Sequence, residues 1–292
     1  MSRAWSWLRH HAIVIYAGLA VAYMLIPIAV IAVFSFNDPA GKFNYSWEGF
    51  TLDYWTGAFD IPELNDAMLN SLQLAALSTL IATALGTLIA IALVRHEFFG
   101  RTPANFLIVI PMATPEVVIG AALLSMFLIY GVPLGFTTLL IAHVMFSISF
   151  VVVVVRSRLI GFDRSLEEAA RDLGANPFQT FRLVTLPLLM PGVIGAALLA
   201  FALSIDDFVI SVFNSGDTVT FPLFIFGASQ RAIPVQIYSV ATILFAVVVA
   251  AMVFTIWQQR RAERMAAIAP EREGDPYATT AAMPPAPGAA GG

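Results

Sequence analysis

Six apolar runs, a lopsided distribution of arginine and one polar insert with its own helix signals predict an all-α membrane protein. It should have six transmembrane helices and a cytoplasmic helical hairpin between the fourth and fifth. The chain has 292 residues, 59% of them hydrophobic and 12% charged, with mean hydropathy +0.83. That composition excludes a soluble globular domain. Runs of about 20 apolar residues match a hydrocarbon core about 30 Å thick. Lipid offers the backbone no hydrogen-bond partner, so each run must be helical.

The first run, 12–34, follows Arg3 and Arg9. It is too long for the apolar region of a signal peptide, and no small-residue cleavage site follows Phe34, so it is expected to be a retained anchor. The segment 35–66 carries Asp38, Glu48, Asp53, Asp60, Glu63 and Asp66 against Lys42 alone. Such acidity either attracts cations or a basic partner patch, or marks a solvated loop that avoids positive charge. Trp47, Phe50, Tyr54 and Trp55 read as an aromatic anchor at headgroup level.

The second run, 67–94, exceeds a perpendicular span and predicts tilt or an extra exposed turn. Asn70, Ser71 and Gln73 at its outer end are expected to satisfy helix ends. The third run, 105–129, contains Pro111 and Pro115, which should kink it, and Glu116, placed near mid-membrane at about 1.5 Å per residue. The fourth, 134–155, carries His143, read as an interhelical hydrogen bonder. The fifth, 191–213, holds Asp206 and Asp207 in its outer half, where adjacent helical positions differ by about 100°. The sixth is 236–257. From about Ala266 the chain is rich in Ala, Pro and Gly without hydrophobic period, which predicts disorder. The organisation is a cytoplasmic N-terminus (1–11), one six-helix membrane domain (12–258) with a hairpin at 163–186, and a mostly disordered cytoplasmic tail (259–292).

Charge orients these spans. Of the 15 Lys and Arg, all but Lys42 and Arg231 lie on the N-terminus, the 95–104 loop, the 156–190 loop or the C-terminus. The positive-inside rule then puts both termini and the hairpin in the cytoplasm. The chain has 0 Cys, which excludes disulfides, thiolate catalysis and cysteine metal sites. It has no G-x-x-x-x-G-K-S/T loop to cradle nucleotide phosphates and no arginine-repeat helix to sense voltage. If transport is active, ATP must therefore be hydrolysed on another polypeptide, and this chain is then not expected to be an enzyme or to bind a cofactor, metal or nucleic acid.

In the hairpin, Ser165-Leu166-Glu167-Glu168 has the form of a capping box. Ala169 and Ala170 are strong helix formers without bulk. Gly174 falls where a C-cap needs positive φ. Asn176-Pro177 reads as N-cap and N1 of a second helix, with Phe178, Phe181 and Val184 as its apolar face. Pro187 and Pro191 are expected to break that helix before the fifth span.

The spacing here is Glu168-Ala169-Ala170, three residues, Gly174, nine residues, Val184, any residue, Leu186-Pro187. It resembles the signature loop of the inner-membrane permease subunits of ABC importers, departing only at Val184, where Ile is usual. The resemblance implies a type I ABC importer permease fold in a bacterial inner membrane. It makes the hairpin a coupling helix seated in a groove of the ATP-hydrolysing subunit, with Glu168, Ala169, Ala170, Gly174 and Pro187 as coupling residues. It also implies a cytoplasmic ATPase dimer that uses the ATP, a second homologous permease and an extracytoplasmic binding protein.

Four further segments, from Phe34-Ser35-Phe36-Asn37 and Asn70-Ser71-Leu72 to Pro115-Glu116-Val117-Val118-Ile119-Gly120 and Ser204-Ile205-Asp206-Asp207-Phe208-Val209-Ile210, are similar to the spermidine/putrescine branch of these permeases. The match runs from about residue 10 to 260. It implies a polyamine substrate delivered by a polyamine-binding protein; related branches take other organic cations or amino-acid-like solutes.

Ionisable groups inside spans are costly and mark functional candidates. Asp206 and Asp207 reached from outside, with Glu116 deeper, form a ladder suited to a crossing cation. The alternative for Glu116 is a helix–helix hydrogen bond or a pair with a partner subunit, and for Asp206 and Asp207 a structural role. Two rival classes stay open on residues alone. A secondary transporter should show inverted repeats and central broken helices. A channel should show rings of like residues, which Asp206 and Asp207 could supply.

Overall fold

Residues 3–41, 43–161, 163–231 and 233–268 are described by the computed structural model, and they are helical nearly throughout. The elements in order are α1 (Arg3–Phe34), α2 (Asp53–Thr56), α3 (Pro62–Arg95), α4 (Arg101–Ala113), α5 (Glu116–Ile129) and α6 (Phe136–Ile160). After these come α7 (Ser165–Asp172), α8 (Pro177–Thr180), a π turn (Phe181–Thr185), α9 (Leu186–Ile205), α10 (Val209–Asn214), α11 (Phe221–Ser229) and α12 (Val235–Ile268). Among the described residues the β structure is one isolated bridge, Asn37 to Phe50.

Four stretches are long and apolar enough to cross a membrane: His11–Phe34, Pro62–Arg95, Phe136–Ile160 and Pro177–Ile205. A fifth, α4 with α5, is a pair bent by 109°. The sixth expected run lies in α12, whose described apolar stretch Val235–Val247 is shorter. That helix continues to Ile268, so the first residues assigned to the tail are helical. The Ala-, Pro- and Gly-rich remainder and Lys42 lie outside the described residues.

The chain divides into two compact units. Met1–Val33 with Tyr238–Gly292 contains most of α1 and α12; Phe34–Ile237 contains everything between. In this second unit α3, α6 and α9 pack together around Ala82, Ala90, Val151, Val155, Ala196 and Ala200, all fully buried. Alanine on α3 and α9 lets the helices approach closely, which is how helices associate where lipid is as apolar as leucine. At 34 residues, α3 is about 50 Å long at 1.5 Å per residue, longer than a bilayer core, as the second apolar run predicts.

The segment after α1 is organised by Asn37, which is fully buried. Its Nδ2 donates to Asn44 Oδ1 at 2.6 Å and to the Ser46 carbonyl at 2.7 Å. Its Oδ1 accepts from the Glu48 N–H at 2.8 Å. Phe36 stacks on Phe50 and Trp55, with ring centroids 5.7 and 4.8 Å apart. At the outer end of α3, Asn70 donates to the Val219 carbonyl and Ser71 Oγ accepts from the Phe221 N–H at 2.8 Å. Ser71 thereby satisfies the first turn of α11, as expected of a residue serving helix ends.

Candidate functional site

The hairpin is built by local hydrogen bonds. Asp163 Oδ1 accepts from the Ser165 N–H at 2.9 Å, and the N–H groups of Glu167 and Glu168 bond to the Arg164 carbonyl. Ser165 therefore sits inside the first turn rather than at N-cap, and the expected Ser165–Glu168 capping box does not form. The Asp163 carboxylate, a stronger acceptor than a hydroxyl, occupies that role. These hydrogen bonds, from the Ser165 backbone and then its side chain, hold Asp163 below the usual carboxylate range.

α7 ends at Gly174, with φ +89°. The Gly174 N–H bonds to Arg171 and the Ala175 N–H to Ala170, at 2.8 and 3.0 Å, the two bonds of a Schellman cap. A Cβ at Gly174 would meet nothing within 4 Å. The positive φ, not crowding, requires glycine. The capping box appears instead on the second helix: Asn176 Oδ1 accepts from the Gln179 N–H and Gln179 Oε1 from the Asn176 N–H, both at 2.9 Å.

The expected break at Pro187 and Pro191 is absent. Pro177–Ile205 is one continuous stretch, with Pro187 in the first turn of α9 and Pro191 inside it. The preceding π turn, closed by the Leu186 N–H to the Phe181 carbonyl, widens the ladder where the Pro187 N–H is missing. Such local adjustment is how membrane helices tolerate proline. Leu173 is 89% and Phe178 69% exposed, and Leu166 and Leu183 also face out. Glu168 and Ala169 are exposed as well and Ala170 is half-buried.

Inward, Glu167 is only 6% exposed. One carboxylate oxygen is 2.5 Å from Arg95 Nη1 at the end of α3, and the other accepts from the Thr185 hydroxyl in the π turn. Burial pushes this carboxyl up, but the hydrogen bonds from Arg95 and Thr185 outweigh it and hold Glu167 below the usual range. Sequence reasoning singled out Glu168 and missed its neighbour. The available signal was a lone Arg at the end of a span, facing a second acid about 100° round the helix from the first.

At membrane depth, Glu116 does not sit mid-helix. Thr114, extended at ψ 133° as a residue before proline tends to be, ends α4, and Glu116 opens α5 as an exposed side chain. The expected kink is thus a near right-angle break. A carboxylate is favoured at a helix N-terminus by the backbone dipole. The fifth run also breaks: α9 stops at Ile205, Asp206 is its C-cap and exposed, and α10 begins at Val209. The two aspartates therefore do not lie on one continuous helix.

Asp207, grouped with Asp206 on sequence grounds, is placed differently. Its side chain is 5% exposed, and its oxygens accept from the N–H groups of Ile210 at 3.2 Å and Ser211 at 2.8 Å. His143 Nε2 is 3.5 Å from Asp207 Oδ2 and 3.1 Å from Ser211 Oγ; its Nδ1 is 2.8 Å from Ser204 Oγ. Ser78 of α3 donates to Ser204 at 2.9 Å. This polar chain ties α3, α6, α9 and α10 together across the break. It realises the interhelical hydrogen bonding expected of His143.

The two broken segments also pack on each other. A Cβ on Gly120 of α5 would lie 2.7 Å from the Phe213 ring and 3.5 Å from Ile210 Cα, and Asn214 donates to the Gly120 carbonyl at 3.3 Å. Glu116 lies one helical turn before Gly120 on α5, and Asp206 precedes Ile210 across the break between α9 and α10. Outside the breaks, a cavity of about 470 Å³ is lined by Glu63, Asp66 and Asp217, with Asn70 and Phe224.

A bundle of apolar helices, interrupted at two acid-bearing breaks and carrying a capped polar hairpin, defines a multi-pass membrane permease. The model of the binding-protein-dependent transport system inner membrane component family matches residues 82–267, and the chain belongs to that family. It is 37% identical over 235 residues to the spermidine/putrescine transport system permease protein PotC of Haemophilus influenzae, covering 80% of this chain and 91% of that one. It is 34% identical over 238 residues to the putrescine transport system permease protein PotI of Escherichia coli K12, covering 79% and 84%. A bacterial ABC transporter that imports alginate has a chain superposing with TM-score 0.63 at 18% identity, over 90% of this chain and 99% of that one. A chain of the MetNI methionine ABC transporter gives TM-score 0.55 at 17% identity, over 68% and 95%. At those identities the structures share the fold alone.

Proposed function

We propose that this chain is a permease subunit of an ATP-driven importer for polyamines and forms one half of the translocation path. The observation that carries this reading is the likeness to polyamine permeases along four fifths of the chain. The geometry supports it. A polyamine carries two or more positive charges at neutral pH and loses hydration in a narrow path, and fixed carboxylates can replace that hydration if binding stays weak enough for release.

Asp206 and Glu116, exposed at the two breaks, are the path carboxylates in this reading. Asp207 holds the break in shape. The acid-lined outer cavity at Glu63, Asp66 and Asp217 concentrates cations at the entrance. Helix ends support the same role: Asp206 is the C-cap of α9, and the C-terminal end of a helix carries a partial negative charge favourable to cations.

Broken helices also suit a secondary transporter, but the exposed hairpin then has no use. Here it takes up force from a separate ATPase dimer, with Glu168, Ala169, Ala170 and Gly174 at the contact and Pro187 opening the helix that leads inward. A second homologous permease completes the pore, and an extracytoplasmic binding protein delivers substrate. The chain itself performs no bond chemistry and holds no cofactor, and both termini are cytoplasmic. The test is to co-purify the chain in detergent with its partners and measure which polyamines stimulate ATP hydrolysis. Stimulation by putrescine or spermidine supports the reading; stimulation by a neutral or anionic solute alone contradicts it.

A further inference from the structure

The hairpin meets the span bundle across a gap. Between the end of α3 and the inner face of α7 lies a cavity of about 380 Å³, lined by Ile91, Arg95 and His96 on one side and Arg164, Glu167, Glu168 and Arg171 on the other. α7 itself packs against α8 and the π turn. The Arg95–Glu167 ion pair, at 2.5 Å, crosses the gap, and the second oxygen of the same carboxylate holds Thr185. One buried carboxylate therefore joins three elements: the hairpin, the span α3 and the π turn that leads into α9.

We propose that Arg95, Glu167 and Thr185 form a strut that makes the hairpin and two spans move as one body, and so sets how much transport each ATP hydrolysis delivers. This rests on the reading of the chain as an ATP-driven permease. The argument is mechanical. An exposed hairpin pushed by a partner can tilt into an open gap, and motion lost there never reaches α3. A charge-assisted bond at each carboxylate oxygen fixes both distance and direction. The π turn interrupts the α-helical ladder of the continuous stretch Pro177–Ile205, and the second anchor ties it to the hairpin at that point. α3 and α9 share their packing core with α6, so a push delivered to both shifts the bundle as a unit. Arg95, Glu167 and Thr185 are positioning residues in this scheme; none has to touch substrate or nucleotide.

The test uses the full complex with its ATPase, second permease and binding protein in proteoliposomes, reading polyamine taken up per ATP hydrolysed. Glu167→Gln and Arg95→Gln should lower that ratio about fivefold or more while ATP hydrolysis continues. The paired exchange Arg95→Glu with Glu167→Arg should recover it. A merely structural defect lowers uptake and hydrolysis together and leaves the ratio unchanged, which would overturn the proposal.

Thr185→Val, which removes a hydroxyl at equal volume, should lower the ratio to a lesser degree. If charge exchange prevents assembly, that variant decides the matter. A second reading needs no substrate. Spin labels on cysteines placed at Glu97 and Asp172 should show one narrow distance in the otherwise unchanged complex, with and without nucleotide. Glu167→Gln should broaden it. An equally narrow distribution in that variant overturns the strut whatever the substrate proves to be. A complex that takes up no polyamine, yet shows the predicted broadening, refutes the polyamine reading and retains the strut.

Discussion

His143 Nε2 stands 3.5 Å from Asp207 Oδ2 in the interior of the α3–α6–α9 bundle, and both side chains are almost wholly buried. With the ring proton on Nε2, His143 donates toward Ser211 and Asp207 and accepts from the Ser204 hydroxyl at Nδ1. Every partner in the chain from Ser78 to Asp207 is then used. A half-satisfied network in such a setting is costlier than an apolar one, so Asp207 is a structural anchor at the break beside an exposed Asp206.

That difference separates the two aspartates experimentally. Asp207→Ala leaves the N–H groups of Ile210 and Ser211 without their carboxylate acceptor and takes one partner from His143, and should cost about 1–3 kcal/mol of stability, read as a lower melting temperature in detergent. Asp206→Asn should leave melting unchanged. Equal destabilisation by both variants contradicts the assignment.

Gly174→Val forces a β-branched residue into a left-handed conformation, at a cost of roughly 1–2 kcal/mol. Because open space surrounds the position, the defect should be conformational: the protein inserts normally while uptake falls. Gly174→Asn, which tolerates positive φ, should retain most uptake. A Val variant that transports as well as the Asn variant contradicts the requirement for positive φ.

Glu167 gives a pH dependence with a definite sign. Its folded value lies below the ordinary glutamate value of 4.5, so its ion pair stabilises the protein fully above that value. The contribution is lost as pH falls through the depressed folded value. Melting temperature should therefore drop with acidification below about pH 4.5, and Glu167→Gln should drop less. An identical slope in both proteins contradicts an ionised, paired Glu167.

Most of the helical architecture was legible in the sequence, and so were Gly174, Asn176 and the long second span. Each depends on neighbours in the chain or on a run of one polarity. The failures share a cause. Ser165 lost its cap role to Asp163, two residues earlier, because a carboxylate competes better for the same N–H. Pro187 did not break its helix because a π turn absorbed the missing donor. The His143–Asp207 and Arg95–Glu167 pairs join residues 64 and 72 positions apart, and no local pattern records which of several polar groups at similar depth will meet. The breaks at Thr114 and Asp206 were likewise invisible as uninterrupted apolar runs, although Pro115 marked the first.

Orientation has a direct check, since the native chain has 0 Cys. Asn44 is buried and bonded to Asn37, so the reporter belongs at Tyr45, which is 81% exposed. An impermeant thiol reagent outside intact cells should label Tyr45→Cys and spare Phe99→Cys. Labelling of Phe99→Cys without Tyr45→Cys reverses the topology.

The central claim is that this permease passes polyamines along the acids at its two breaks. The most direct measurement is ATP-dependent uptake of labelled putrescine and spermidine by the complete complex in proteoliposomes, comparing the unaltered chain with Asp206→Asn plus Glu116→Gln at equal protein. The account predicts saturable uptake by the unaltered complex and a rate about tenfold lower in the double variant, an increase of about 1.4 kcal/mol in barrier, with ATP hydrolysis retained because the hairpin is untouched. Uptake of both polyamines at the unaltered rate in the double variant, or none by the unaltered complex, contradicts it.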